Sequence, residues 1–171
     1  MISAGLVGAA FALDDALPPG TPGEDTDHAP GTYVEEPGEW FGYAPFLIGG
    51  TAALAIHGAA FDHPKSLQSA KEVAFAMAGT TAVCWVIKVA TQRPRPDGSN
   101  NYSFPSGHSA VVFSAATVLD RRYGGLVGWA AYGAAAFAAE ARVADAHHYF
   151  SDIVAGAVIG RLIGRFVTRN P

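Results

Sequence analysis

The sequence has one cysteine, Cys84, so no internal disulfide framework can staple it. A lone thiol inside an apolar run reads as a small core residue rather than a nucleophile. Charge is scarce as well, at 15% of residues, and the balance is slightly acidic, with a formal net charge of −4. With no basic surplus there is no electrostatic footprint for nucleic acid, and that class of partner is excluded. Strand-type alternation and hairpin signals are missing, which removes a strand-rich fold. Residues 1–13 are apolar but contain no Lys or Arg and are too short to span a bilayer, so they make a poor signal peptide. A truncated signal, a partial anchor and a short helix packed on the body of the protein all fit them.

Half of the residues are apolar, and Ala and Gly are abundant, a composition that favours closely packed helices. A length of 171 residues suits one unit with a real core. The mean hydropathy of +0.19 fits a compact helical membrane protein and a soluble Ala-rich bundle alike. Residues 14–42 hold Pro18, Pro19, Pro22, Pro30 and Pro37 together with eight of the fifteen acidic residues. They read as an irregular acidic segment, a solvated linker without chemistry of its own. The expected organisation is therefore an N-terminal part, 1–42, and a helical domain, 43–171.

From residue 43 onward, apolar segments alternate with short polar ones. Five helices are predicted: Tyr43 to Ala60, Ser69 to Ala90, Gly107 to Leu119, Gly125 to Arg142 and Ser151 to Thr168. At about 1.5 Å per residue all but the third approach bilayer length. The predicted fold is an all-α, compact bundle of about five core helices that spans a membrane. Lys65, Lys71, Arg121, Arg122, Arg165 and Arg169 fall at one end of an up-down bundle. Since cytoplasmic loops collect Lys and Arg, the opposite end, with segment 14–42 and the loops 88–106 and 142–151, would face the periplasm or the outside. Glu140 and Arg161 lie inside predicted helices and suit a soluble bundle better.

Polar chemistry concentrates in three places, all at that opposite end. Lys88 at a helix end, with Arg95 followed by Pro96, offers a mobile point charge and a planar fork to phosphate oxygens. A solvated helix end would look the same. Pro105, Ser106, Gly107 and His108 open a predicted helix, where free backbone N–H groups can point at an anion, and Gly107 admits it closely. Ser106 equally serves as an ordinary N-cap, but that role has no use for His108, which is placed to protonate a leaving alkoxide. Arg142, His148 and Asp152 form the third cluster. His148 and Asp152 are four apart and share a helix face, so the carboxylate can hold one imidazole nitrogen while the other acts as a nucleophile. A structural hydrogen bond is the plainer reading of that pair. A metal site using His147 is weaker, because Lys88, Arg95 and Arg142 would repel a cation and no carboxylate-rich cluster supplies ligands. Three cations beside a helix N-terminus suit a phosphoryl group instead, and no cofactor is expected.

At these residues the sequence closely resembles the type 2 phosphatidic acid phosphatase superfamily, which also includes bacterial acid phosphatases and vanadium haloperoxidases. Its first motif, Lys, six residues, Arg-Pro, is matched by Lys88 to Pro96. Its second, Pro-Ser-Gly-His, is matched by 105–108. Its third, Ser-Arg, five residues, His, three residues, Asp, is matched by Arg142, His148 and Asp152, with Ala141 in place of the Ser. The resemblance implies that His148 attacks phosphorus, Asp152 orients it and His108 protonates the leaving group. It further implies that Lys88, Arg95, Ser106, Gly107 and Arg142 bind the phosphate.

The leading expectation is a membrane-embedded phosphatase acting on a phosphorylated lipid in the bacterial inner membrane, with its site facing the periplasm. A soluble periplasmic non-specific acid phosphatase is the nearest alternative. The haloperoxidase branch typically has much longer chains. From a different class comes a non-catalytic membrane subunit that retains the phosphate site, held in a homo-oligomer or membrane assembly through its Ala/Gly faces or acidic segment.

Overall fold

A computed structural model describes residues 2–17, 44–144 and 146–169. They form six helices: α1 (Ile2–Leu13), α2 (Ala44–Ala60), α3 (Pro64–Thr91), α4 (Gly107–Tyr123), α5 (Gly125–Ala144) and α6 (Phe150–Val167). No strand occurs among the described residues, so the chain is all-α. Most of segment 14–42, with the boundary expected at residue 42, lies outside the described residues.

Three helices, α3, α4 and α5, are longer than hydropathy alone predicts. α3 starts at Pro64 rather than Ser69, because a proline in the first turn lacks only an N–H that the helix would leave unpaired anyway. Lys65 therefore joins Lys71 on α3. The helix stops where Gln92 turns left-handed, with φ 46°, and returns its N–H to the Lys88 carbonyl at 3.0 Å. α4 runs past Leu119 through Arg121 and Arg122 to Tyr123, two cations that suit the negative end of its dipole. Gly124, at φ 61°, is the single residue separating it from α5. Residues 2–13 are a helix packed against α6.

α4 is the centre of the bundle, and its most extensive partner is α6. Gly156, Gly160 and Gly164 repeat every four residues along the α6 face that meets it. A Cβ on them would overlap Ser106 O, Ala110 O and Thr117 Cβ respectively, so backbone lies almost against backbone. On the other side of α4, Ala115 and Val118 bury Val73 and Ala76 of α3, and Val112 and Ala116 bury Ala135 of α5. Small residues throughout let these helices approach closely and keep their register. At the end remote from the predicted site, the Arg122 guanidinium donates twice to the buried Glu72 carboxylate, and Gln68 donates to the same group at 2.9 Å.

Among the described helices, α3 is the one long and apolar enough to cross a membrane. It is not a buried core helix, since 28% of its apolar window is covered by the rest of the bundle. Phe75, Val83, Trp85, Val86 and Val89 are exposed along it.

Candidate active site

The site is assembled where α3 ends and where α4 and α6 begin. After α3 the chain crosses the helix ends as an irregular segment held by its own backbone bonds. Arg95 N–H donates to Asn100 O at 2.9 Å, and Ser103 N–H donates to Arg93 O at 3.0 Å. Asp97 N–H donates to Ala146 O at 3.1 Å, tying this segment to the loop before α6. In that loop the Arg142 carbonyl accepts the N–H groups of both His147 and His148 at 3.2 Å, which folds His148 back over the end of α5.

His148 is 2% exposed and Asp152 fully buried. Nδ1 of His148 faces Asp152 Oδ2 at 3.6 Å and Ser103 Oγ at 3.5 Å. Ser103 Oγ donates to the same Oδ2 at 2.5 Å, and Tyr149 N–H donates to it at 2.9 Å. The carboxylate is thus fixed before any ligand arrives, and it also caps the first turn of α6. Burial drives the His148 pKa down to about 4. The hydrogen bond and charge of Asp152 pull it upward, and the positive charges of Lys88 and Arg95 press it lower. At neutral pH the ring is uncharged.

Five of the predicted residues, Lys88, Ser106, Gly107, His148 and Asp152, are brought together, and Arg95 is near enough for its charge to act on His148. Lys88, 5% exposed, donates its Nζ to Tyr102 O and, at 3.4 Å, to Ser103 O, so the cation lies against the segment that carries Ser103. A Cβ built on Gly107 would lie 3.9 Å from Lys88 Cε, which places the opening of α4 beside that amine. Ser106 is buried and caps α4, its Oγ accepting from Ser109 N–H, while its own N–H donates to the Asp152 carbonyl at 3.0 Å. Ser106 thus has the ordinary N-cap role, and its N–H ties the start of α4 to α6. His108 occupies the first turn of α4, partly exposed, and Arg142 is buried in the last turn of α5. Among the described residues no group of three or more His, Cys, Asp or Glu side chains is arranged to hold a metal ion.

A scan of protein families matches residues 69–171 to the PAP2 superfamily. The chain belongs to that superfamily. The match includes all three motifs and stops short of α1 and α2. Among curated relatives, a lipid A 1-phosphatase from Porphyromonas gingivalis is 40% identical over 75 residues, covering 42% of this chain and 17% of that protein. A PA-phosphatase related-family protein from Dictyostelium discoideum is 36% identical over 110 residues, covering 48% of this chain and 41% of its own length. The chain thus spans less than half the length of these relatives. No solved structure matches it.

Sequence reasoning missed four residues that hold this cluster together: Arg93, Ser103, Ser151 and Asp14. Arg93 Nη1 donates to Asp152 Oδ1 at 2.7 Å and to Ser151 Oγ at 2.6 Å, and Nη2 donates to Asp14 Oδ2 at 2.8 Å. Asp14 belongs to the segment read as a solvated linker. The available signal was the doubled Arg-Pro at 93–96, of which the family motif uses only the second.

Proposed function

We propose that the chain is a metal-independent phosphatase of the PAP2 superfamily that acts on a phosphorylated lipid through a phosphohistidine. The observation carrying this reading is a buried, uncharged His148 backed by a fixed carboxylate and close to the charges of Lys88 and Arg95. An uncharged imidazole keeps a lone pair for phosphorus, and Nδ1 is engaged by Asp152 and Ser103, which leaves Nε2 to attack. As the P–N bond forms, the bond from phosphorus to the ester oxygen breaks. The departing oxygen keeps the electron pair and takes a proton from His108. Lys88, Arg95 and Arg142, with the Gly107 N–H and the Ser106 hydroxyl, hold the three equatorial oxygens. Water then attacks phosphorus, His108 removes its proton, and the P–N bond breaks to free phosphate and restore His148. The same cations would repel a divalent metal, which favours chemistry without one.

The lipid class is supported by the exposed apolar face of α3 and by a groove of about 670 Å³ between α5 and α6. Tyr132, Val143, Phe150 and Ile153 line it, and Val143 and Phe150 flank the loop that carries His148. The Lys- and Arg-rich end lies opposite the site, so the site would face away from the cytoplasm. Glu140 and Arg161, both exposed in that groove, favour the second reading of a soluble periplasmic phosphatase.

The test is phosphate release from a panel of lipid and soluble phosphoesters with EDTA present, for wild type and His148→Ala. Release that resists EDTA and disappears in the variant is expected, strongest on lipids in mixed micelles. Preference for soluble esters by protein purified without detergent would establish the second reading. No release from any substrate would instead leave a non-catalytic subunit.

A further inference from the structure

We propose that Arg93, backed by Asp14, is a positioning residue of this site, fixing the Asp152 carboxylate and through it the His148 ring, and thereby coupling helix α1 to turnover. The inference rests on the phosphatase reading above but adds residues that the motifs do not contain. A fully buried carboxylate is costly unless paired and fully hydrogen-bonded. The guanidinium in contact with it, at 2.7 Å on Oδ1, is that of Arg93. Residue 93 also acts on the other oxygen, because its carbonyl accepts the N–H of Ser103, whose hydroxyl donates to Oδ2. One residue therefore sets both faces of the group that orients His148.

Arg93 is itself held rigidly. Its guanidinium lies 4.0 Å from the centre of the Tyr149 ring and 4.9 Å from that of Phe11 in α1. Its second nitrogen meets Asp14, one residue beyond α1. Asp14 completes a closed ring: Oδ1 accepts Ser151 N–H at 2.9 Å, Oδ2 accepts Ser151 Oγ–H at 2.6 Å, and Ser151 Oγ accepts from Arg93. Asp14 thus caps α6 from outside and balances the Arg93 charge. Phe11 also stacks on Phe104, two residues before Ser106, at 5.5 Å between centroids. A purely structural salt bridge would need none of the aromatic clamping or the shared Ser103.

Charged and titratable groups near His148 come from the neighbouring elements: Lys88 from α3, Arg95 from the following segment, His108 from the first turn of α4, Asp152 from α6, and Arg142 and His147 from its own stretch of chain. Behind Asp152 stand Arg93 and, from α1, Asp14. The full chain is tested as Arg93→Gln, Arg93→Lys and Asp14→Asn. For each, kcat and KM, the melting temperature and the titration of the His148 ring by ¹⁵N NMR are measured, with His148→Gln used for assignment. Arg93→Gln is expected to lower kcat about tenfold to a hundredfold with KM nearly unchanged, the scale of a small misplacement of a reacting group. Arg93→Lys, a point charge without the fork, falls between it and wild type. The His148 midpoint rises in Arg93→Gln, where the Asp152 carboxylate loses the positive charge that offsets it, and does not rise in Asp14→Asn, where a negative charge is lost. Turnover within twofold of wild type in all three folded variants, or a loss that vanishes when each is assayed well below its melting temperature, would overturn the proposal. So would a His148 midpoint unmoved by Arg93→Gln. Should wild type hydrolyse nothing, the phosphatase reading fails, while the ring titration still judges the positioning role by itself.

Discussion

His148 carries its function in its protonation state, and that state is linked to stability. Its pKa is about 4 in the folded chain against 6.5 for an ordinary imidazole, so between these values the unfolded chain binds the extra proton. Stability contributed by the neutral ring is complete above pH 6.5 and drains away as pH falls towards 4. The loss is on the order of 3 kcal/mol at the 1.36 kcal/mol that each pKa unit represents. Chemical denaturation of wild type and His148→Gln at pH 7, 6, 5 and 4 should show the variant's stability falling less steeply across that window. Lys88, Arg95, Ser106, Gly107, His108, Arg142, His148 and Asp152 could be nominated from the sequence because each sits at a fixed offset within a local motif. Arg93 and Asp14 could not. Asp14 meets Ser151 across 137 positions, a pairing that only the bundle's topology creates.

Element by element, the bundle depends on how nearly α6 can approach α4. Gly160→Ala places a methyl into Ala110 O and forces the helices apart, and a loss of about 1 to 3 kcal/mol is expected. Gly133→Ala in α5 meets nothing within 4 Å and should stabilise by up to about 1 kcal/mol through helix propensity. Melting curves of the two variants check both signs. The sequence made the helices legible through their apolar runs, but their ends less so. α3 began earlier and α4 finished later because Pro64, Lys65, Arg121 and Arg122 are polar or helix-breaking on average, yet each suits the helix terminus it occupies. The glycine repeat was visible only as composition, since the facing Ser106, Ala110 and Thr117 lie in a different helix.

On the scale of the whole molecule, the two ends of the bundle carry separable duties. Glu72→Gln breaks the buried pair with Arg122 at the end remote from His148, and should cost about 3 kcal/mol while leaving kcat intact in protein that remains folded. At the other end, vanadate or phosphate at a hundred times its Kd should stabilise the fold by about 2.7 kcal/mol, a gain lost in Arg95→Ala. Thermal shift with and without the anion measures both effects.

α3 is 28 residues long, about 42 Å, and Lys71 and Lys88 lie roughly 26 Å apart along it. That interval is close to the thickness of a hydrocarbon layer of about 30 Å. In the membrane reading, Lys88 and the phosphate it holds then stand at headgroup depth, and a lipid can be dephosphorylated without its chains leaving the bilayer. Catalysis becomes a two-dimensional encounter. Its rate should follow the mole fraction of substrate in the surface, and dilution with inert lipid at constant bulk concentration should slow it.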